Sequence, residues 1–176
     1  DMVRDLIRDR QFYQSQVEQE LTKSTSGEQT IAAPILVVPY QLVEGKTRTE
    51  QRLIVLPEQL NIDGQVQVSP LKRAIYTFQT FQSTTALTGH FSRAPLQTLR
   101  AKKGVTLGTP FLAVGVSDAR GLGKSEPFTW AGKRYTFSAG TQLHALPNGM
   151  HAALPLSDWD IAGSAPLSFS IQLNVN

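Results

Sequence analysis

Gln29–Tyr40, QTIAAPILVVPY, is the most apolar run of the chain, and its reading decides the fold. Ile31, Ile35, Val37 and Val38 are branched at Cβ and favour extended backbone, with Leu36 among them. Pro34 and Pro39 exclude a stable helix over the same residues, because proline has no amide to donate and its ring clashes with the preceding turn. The run predicts a central strand buried on both faces. It is also too short for a membrane span, which needs about 20 apolar residues.

C-terminal to this strand the chain is a succession of short extended segments separated by turn residues. Glu44–Lys46 is a glycine-containing turn, Gln51–Leu56 carries RLIVL, and Pro57 ends it. Asp63-Gly64 joins Leu60–Ile62 to Gln65–Ser69 with the dipeptide that two-residue hairpins favour. Ala74–Phe91 reads as a strand pair or one bent strand. Tyr76 and Phe78 have one parity and Phe81, Leu87 and Phe91 the other, so a bulge or corner is expected near Gln79–Thr80. Ser92–Gly108 is basic, with Arg93, Arg100, Lys102 and Lys103 and room for a short helical turn; without interleaved aromatics it reads as a solvated face. Phe111–Val116 is a buried strand, and Phe128–Trp130 faces Arg134–Phe137 across Ala131-Gly132-Lys133 as a second hairpin. Met150–Leu156 gives another strand. Leu167, Phe169, Ile171, Leu173 and Val175 then alternate without a miss, so one face of the last strand is buried.

N-terminal to the decisive run, Asp1–Lys23 has the helix period, with Met2, Val3, Leu6, Ile7, Tyr13, Val17 and Leu21 at three- and four-residue steps. Ser24–Gly27 ends it. Such a helix fits either a surface helix packed on the sheet or a stalk continuing from a membrane span. The expected class is mainly β, an antiparallel β-sandwich-like domain over residues 27–176 with one N-terminal α-helix over residues 1–26.

The chain has 176 residues, enough for one domain with a real core, and 17 Lys plus Arg against 14 Asp plus Glu give a formal charge of +3. That excess is too small to argue for nucleic acid. The absence of Cys excludes disulfides, thiolate zinc sites and Cys nucleophiles. Asp1 and the unfinished strand pattern at Asn176 read as boundaries within a longer protein.

Gly121-Leu122-Gly123-Lys124-Ser125 imitates the end of a phosphate-binding loop, but Asp118 stands where that loop needs its first glycine, and the extended Glu126–Trp130 follows where a helix is needed. His90, His144 and His151 have neither metal-site nor triad spacing, and there is no Gly-x-Ser-x-Gly elbow. No catalytic residue, cofactor or metal is therefore expected. Ser117, Asp118, Arg120 and Gly121 form the one turn singled out: a carboxylate after a buried strand can accept backbone amides or hold the guanidinium, as a scaffold or as a binding surface.

Arg10–Tyr40, Val55–Asp63 (VLPEQLNID), Lys72–Phe91, Gly115–Gly121 (GVSDARG), Trp130–Gly132 and Gly149–Ala152, in this order and spacing, resemble the CreD family of bacterial inner-membrane proteins. The resemblance implies a span just before Asp1, a large periplasmic domain of which this chain is the first part, and further membrane helices toward the C terminus. It also implies a link to a two-component envelope-stress regulon and to cell-envelope integrity, with no catalytic residue to carry over. The expected role is binding an unknown envelope protein or ligand, or sensing, on the periplasmic side of the inner membrane. The alternatives are a hydrolase acting on envelope material, which requires Asp118 and Arg120 in a pocket with His144 or His151, and a module that assembles through edge strands. The last strand is expected to leave an exposed edge.

Overall fold

The computed structural model describes residues 28–63, 65–68, 75–79, 83–118, 120, 122–123, 125–144 and 146–175. The expected helix over residues 1–26 lies outside them, as do Gly64, Gly121 and Lys124. The elements are β1 (Glu28–Ala32), β2 (Ile35–Glu44), β3 (Thr47–Val55), β4 (Gln59–Ile62), β5 (Gln65–Val68), β6 (Ile75–Gln79), β7 (Ser83–Phe91) and α1 (Ala94–Ala101). They continue with β8 (Val105–Leu107), β9 (Phe111–Gly115), β10 (Phe128–Trp130), β11 (Lys133–Tyr135), β12 (Ser138–Ala139), β13 (Gly149–Ala153) and β14 (Leu167–Val175). One six-stranded sheet runs β11-β10-β14-β7-β4-β5, a second contains β12-β13-β9-β2-β3 with β8 also on β2, and β1-β6 is a separate ribbon. Every pairing between the named strands is antiparallel.

The decisive run is buried on both faces from Ile31 to Val38, but it is two strands rather than one. The break is a matter of register. Tyr40 faces Leu107 and Val37 faces Phe111, so three steps on β2 meet four on the facing chain and one residue of Gly108–Pro110 is bulged out. Further along, Ile35 faces Ala113 and Ile31 faces Val116, so four steps meet three and the extra residue falls within Ala32–Pro34. The two bulges cancel. Each also switches parity: Ile31 and Ala33 hand the core to Leu36 and Val38, while Leu107 hands it to Leu112. Pro39 fits because its carbonyl accepts the Gly108 amide at 2.7 Å. Amide and carbonyl of one strand residue point the same way, so the missing donor faces the bulge and β3 loses no bond.

The two large sheets pack face to face, the arrangement of a β-sandwich. Leu36, Val38, Leu53, Val55, Leu112 and Val114 from one sheet share a single core with Leu60, Leu87, Phe91, Trp130, Phe169 and Ile171 from the other. The opposite face of the β2 sheet is buried too, with Ile35, Val37, Ile54, Phe111 and Ala113 under Leu146. Aromatic rings line one end of the core: Trp130 lies 5.5 Å from Phe91 and 5.6 Å from Trp159, and Phe169 lies 5.4 Å from Phe91.

Both hairpins form. Ile62 faces Gln65 across Asp63-Gly64, with Asp63 at φ 47°. Trp130 faces Lys133 across Ala131-Gly132 at φ 49° and 82°, the left-handed pair of a type I′ turn. Two expectations are corrected. Residues 75–91 are not a strand pair, because β6 pairs with β1 whereas β7 lies between β14 and β4 in another sheet. The last strand is not an edge: β14 pairs along its whole length with β7, and the β10 hairpin, brought from far earlier in the chain, takes Phe169 and Ser170 on its other side. The helical turn expected within residues 92–108 is a two-turn helix, α1, held by the burial of Leu96 and Leu99 three residues apart.

Candidate functional site

The turn after β9 is built locally. Ser117 donates its amide to the Thr30 carbonyl at 2.8 Å and accepts the Thr30 amide on its hydroxyl at 3.0 Å, tying the turn to β1. One Asp118 oxygen accepts the Arg120 amide and Nε, each at 3.0 Å, and the other accepts Nη2 at 3.0 Å. This is the bidentate fork that suits guanidinium and carboxylate. Gly121 lies outside the described residues. The hydrogen bonds from the Arg120 side chain, then from its amide, hold the Asp118 carboxyl below its ordinary value, and the same pair raises Arg120. Because the folded carboxyl is depressed, any stabilisation is present above the unfolded value and is lost as pH falls through the lowered one. Both side chains are solvated, so the expected outcome is a titration: carboxyl carbon NMR places Asp118 below an ordinary aspartate, and Arg120→Ala moves it upward.

The histidines stay apart. His90, on β7, has Nε2 3.5 Å from a Glu58 oxygen, and His144 is exposed in a loop. His151, on β13, has Nδ1 2.7 Å from the Gly140 carbonyl. The Gly123 amide donates to the Asn174 carbonyl at 2.7 Å, and residues 125–127 lead into β10 without helical structure. No group of three or more His, Cys, Asp or Glu that could hold a metal ion occurs among the described residues.

Concave surface lies elsewhere, on either side of β8. One open cleft of about 880 Å³ has Pro39 and Gly108 in its lining together with Gln41, Glu50, Arg52 and Thr106. The Arg52 guanidinium is held over the Phe111 ring, 5.9 Å from its centroid, and donates to the Gln142 carbonyl at 2.9 Å. A second cleft of about 350 Å³ is walled by Leu107, Leu156, Trp159 and Ile161, with Arg100 and Asp160 also in its lining. Neither is lined by Asp118, Arg120, His144 or His151.

The second cleft exists because the segment after β13 is pinned over α1. Arg93 Nε donates to the Asp160 carbonyl at 2.8 Å and its Nη1 to the Ala165 carbonyl, while Gln97 Nε2 reaches the Ile161 carbonyl at 2.9 Å. Trp159 Nε1 donates to the Leu154 carbonyl at 2.9 Å, and the Tyr135 hydroxyl to Asp158 at 3.2 Å. Burial, and then the hydrogen bond to Asp158, raises the Tyr135 phenol above its ordinary value. Sequence reasoning did not find this cleft. Its walls come from the end of α1, from β8 and from residues 156–161, and within none of these does a spacing betray the others.

No helix among the described residues is long and apolar enough to cross a membrane. A family model described as inner membrane protein CreD matches residues 1–176. Inner membrane protein CreD of Escherichia coli (strain K12) is 35% identical to this chain over 166 residues, which cover 90% of the chain and 37% of that protein. The chain thus spans little more than a third of that relative. No solved structure matches.

Proposed function

Since the chain belongs to the CreD family of inner membrane proteins, we propose that residues 27–176 are a periplasm-facing β domain and that residues 1–26 join it to the membrane. In this reading the domain serves cell-envelope integrity under stress by binding or sensing an envelope component rather than by catalysis. The family match over residues 1–176 is the observation that carries it. Binding is the role that two open clefts on a sandwich support, since concave surface with a few placed polar groups is what recognition requires.

Topology is the test. The chain has no cysteine, so Lys133→Cys at the exposed tip of the β10–β11 hairpin provides a single reporter in this domain of the full-length protein. A maleimide that cannot cross the inner membrane is expected to label it in spheroplasts as fully as in lysed cells. Labelling only after the inner membrane is ruptured would overturn the reading.

A further inference from the structure

Strand β13 accompanies β9 as far as Ala153 opposite Phe111, and the Leu154 amide still donates to the Pro110 carbonyl at 2.8 Å. There the chain leaves the sheet. The Asp158 amide closes a turn on the Pro155 carbonyl at 2.9 Å, and the segment crosses to α1. β8 prolongs the line of β9, but with β13 gone its strand partner among the described residues is β2, on one side.

Alternation decides which backbone groups are left over. The Gly104 carbonyl accepts the Val43 amide at 2.9 Å and the Gly108 amide donates to Pro39, so Gly104, Thr106 and Gly108 turn their backbone toward β2 while Val105 and Leu107 turn theirs away. The Val105 amide donates to the Lys102 carbonyl at 3.3 Å. The Leu107 amide and carbonyl and the Val105 carbonyl have no hydrogen-bond partner among the described residues. They present the donor and acceptor spacing of a strand edge, and Leu107 itself is a wall of the 350 Å³ cleft.

Charge points the same way. One Asp160 carboxylate oxygen accepts the Ala162 amide at 2.9 Å, whereas Arg100 in the cleft and Lys102 and Lys103 just beyond it make no ion pair among the described residues. The basic run of the sequence therefore lies beside an open edge.

We propose that the β8 edge and this cleft bind an extended segment of a partner polypeptide by strand addition, with an apolar side chain between Leu107, Leu156 and Trp159 and a carboxylate toward Arg100. The edge supplies affinity through backbone hydrogen bonds, and the cleft and the cations supply the preference for apolar and acidic residues. The inference deepens the reading of this domain as a binding module in the envelope and rests on it.

The probe is a phage-displayed library of random linear dodecapeptides panned on the whole chain, followed by titration of the selected peptides. Peptides with acidic residues flanking an apolar one are expected, and amide exchange at Leu107 should slow when they bind. Leu107→Pro removes the outward donor at a position where an edge strand tolerates proline, and should weaken binding about tenfold, whereas Leu107→Met should not. Arg100→Glu should weaken it about fivefold. Enrichment of no peptide, equal binding to folded Leu107→Pro, or unchanged exchange at Leu107 would each overturn the proposal. Self-association of the chain abolished by Leu107→Pro would also overturn it, by giving the edge to a second copy. Such a failure alongside periplasmic labelling at Lys133→Cys removes this site and leaves the envelope reading standing; labelling from the cytoplasmic side removes the envelope reading whatever the peptides do.

Discussion

Trp130→Ala is expected to lower the free energy of unfolding by about 3–5 kcal/mol, the range for removing a large aromatic from a packed core. Trp130 is wholly inaccessible and is among the largest of the fully buried side chains. It joins elements distant in sequence: its ring meets Phe91 of β7 at 5.5 Å and Trp159 of the pinned segment at 5.6 Å and 80°. β10 is three residues long and pairs with β14 at Thr129 and Trp130, with the Ala131 amide donating to the Ser168 carbonyl at 2.9 Å just beyond, so Trp130 sits where the hairpin meets the sheet. Truncation therefore costs packing on both sides of the ring, toward β7 and toward the pinned segment. The indole adds a second, separable expectation. Trp130 Nε1 is buried with no hydrogen-bond partner among the described residues, and a buried donor left so costs roughly 1–3 kcal/mol. Trp130→Phe gives up volume but also removes that orphan donor, so it should cost less than half of what Trp130→Ala does. Urea unfolding of both variants, read as midpoints at constant slope, checks the pair; equal losses would mean that the nitrogen carries no penalty.

What the residues disclose in advance is what they decide locally. The first hairpin is legible because Asp-Gly itself selects the turn, the second only to within a residue, since Lys133 reads as part of the turn but pairs with Trp130, and the last strand because four alternate side chains, Leu167, Phe169, Ile171 and Leu173, all face one core. The Asp118–Arg120 fork is legible for the same reason, since its partners are two residues apart. Parity predicts a corner near Gln79–Thr80, of which Thr80 lies outside the described residues, but it does not show that β6 and β7 go to different sheets, because the competing partners, β1 and β14, lie far along the chain on either side. The same limit hid the compensating bulges: the count of residues between Leu107 and Phe111 becomes an excess only when it is set against Val37–Tyr40. The length of α1 is hidden because Leu96 and Leu99 are its only buried positions, too few to show a period. That the last strand has neighbours on both sides is hidden, because a strand carries no mark of how many neighbours it will have. The cleft beside β8 is the extreme case, a site made by where one strand ends and another continues.

Gly149→Ala is expected to cost about 3–5 kcal/mol, from two penalties that can be separated. Gly149 opens β13 at φ +144°, a backbone conformation that a residue with a side chain rarely adopts. An added Cβ would also stand 2.1 Å from the Val114 carbonyl oxygen, 2.7 Å from Thr141 Cγ2 and 3.0 Å from Gly115 Cα. Two of these three neighbours are backbone, so no side chain can swing aside to relieve them. Thr141 cannot yield either, because its buried hydroxyl donates to the Leu146 carbonyl and accepts the Leu143 amide at 3.1 Å, fixing the loop that lays Leu146 over the outer face of the β2 sheet. Moving β13 away instead breaks its ladder with β9 from Gly149 opposite Gly115 onward. Gly140→Ala is the control. Gly140 has φ +83° but nothing within 4 Å of the new carbon, so it should show the conformational penalty alone, about 1–2 kcal/mol. Urea midpoints give the difference between the two variants, and that difference measures how tightly the β9–β13 ladder is held. If the ladder yields easily the two losses converge; if it is as rigid as its backbone contacts indicate, Gly149→Ala is the more damaging by at least twofold, and amide exchange along β13 accelerates with it.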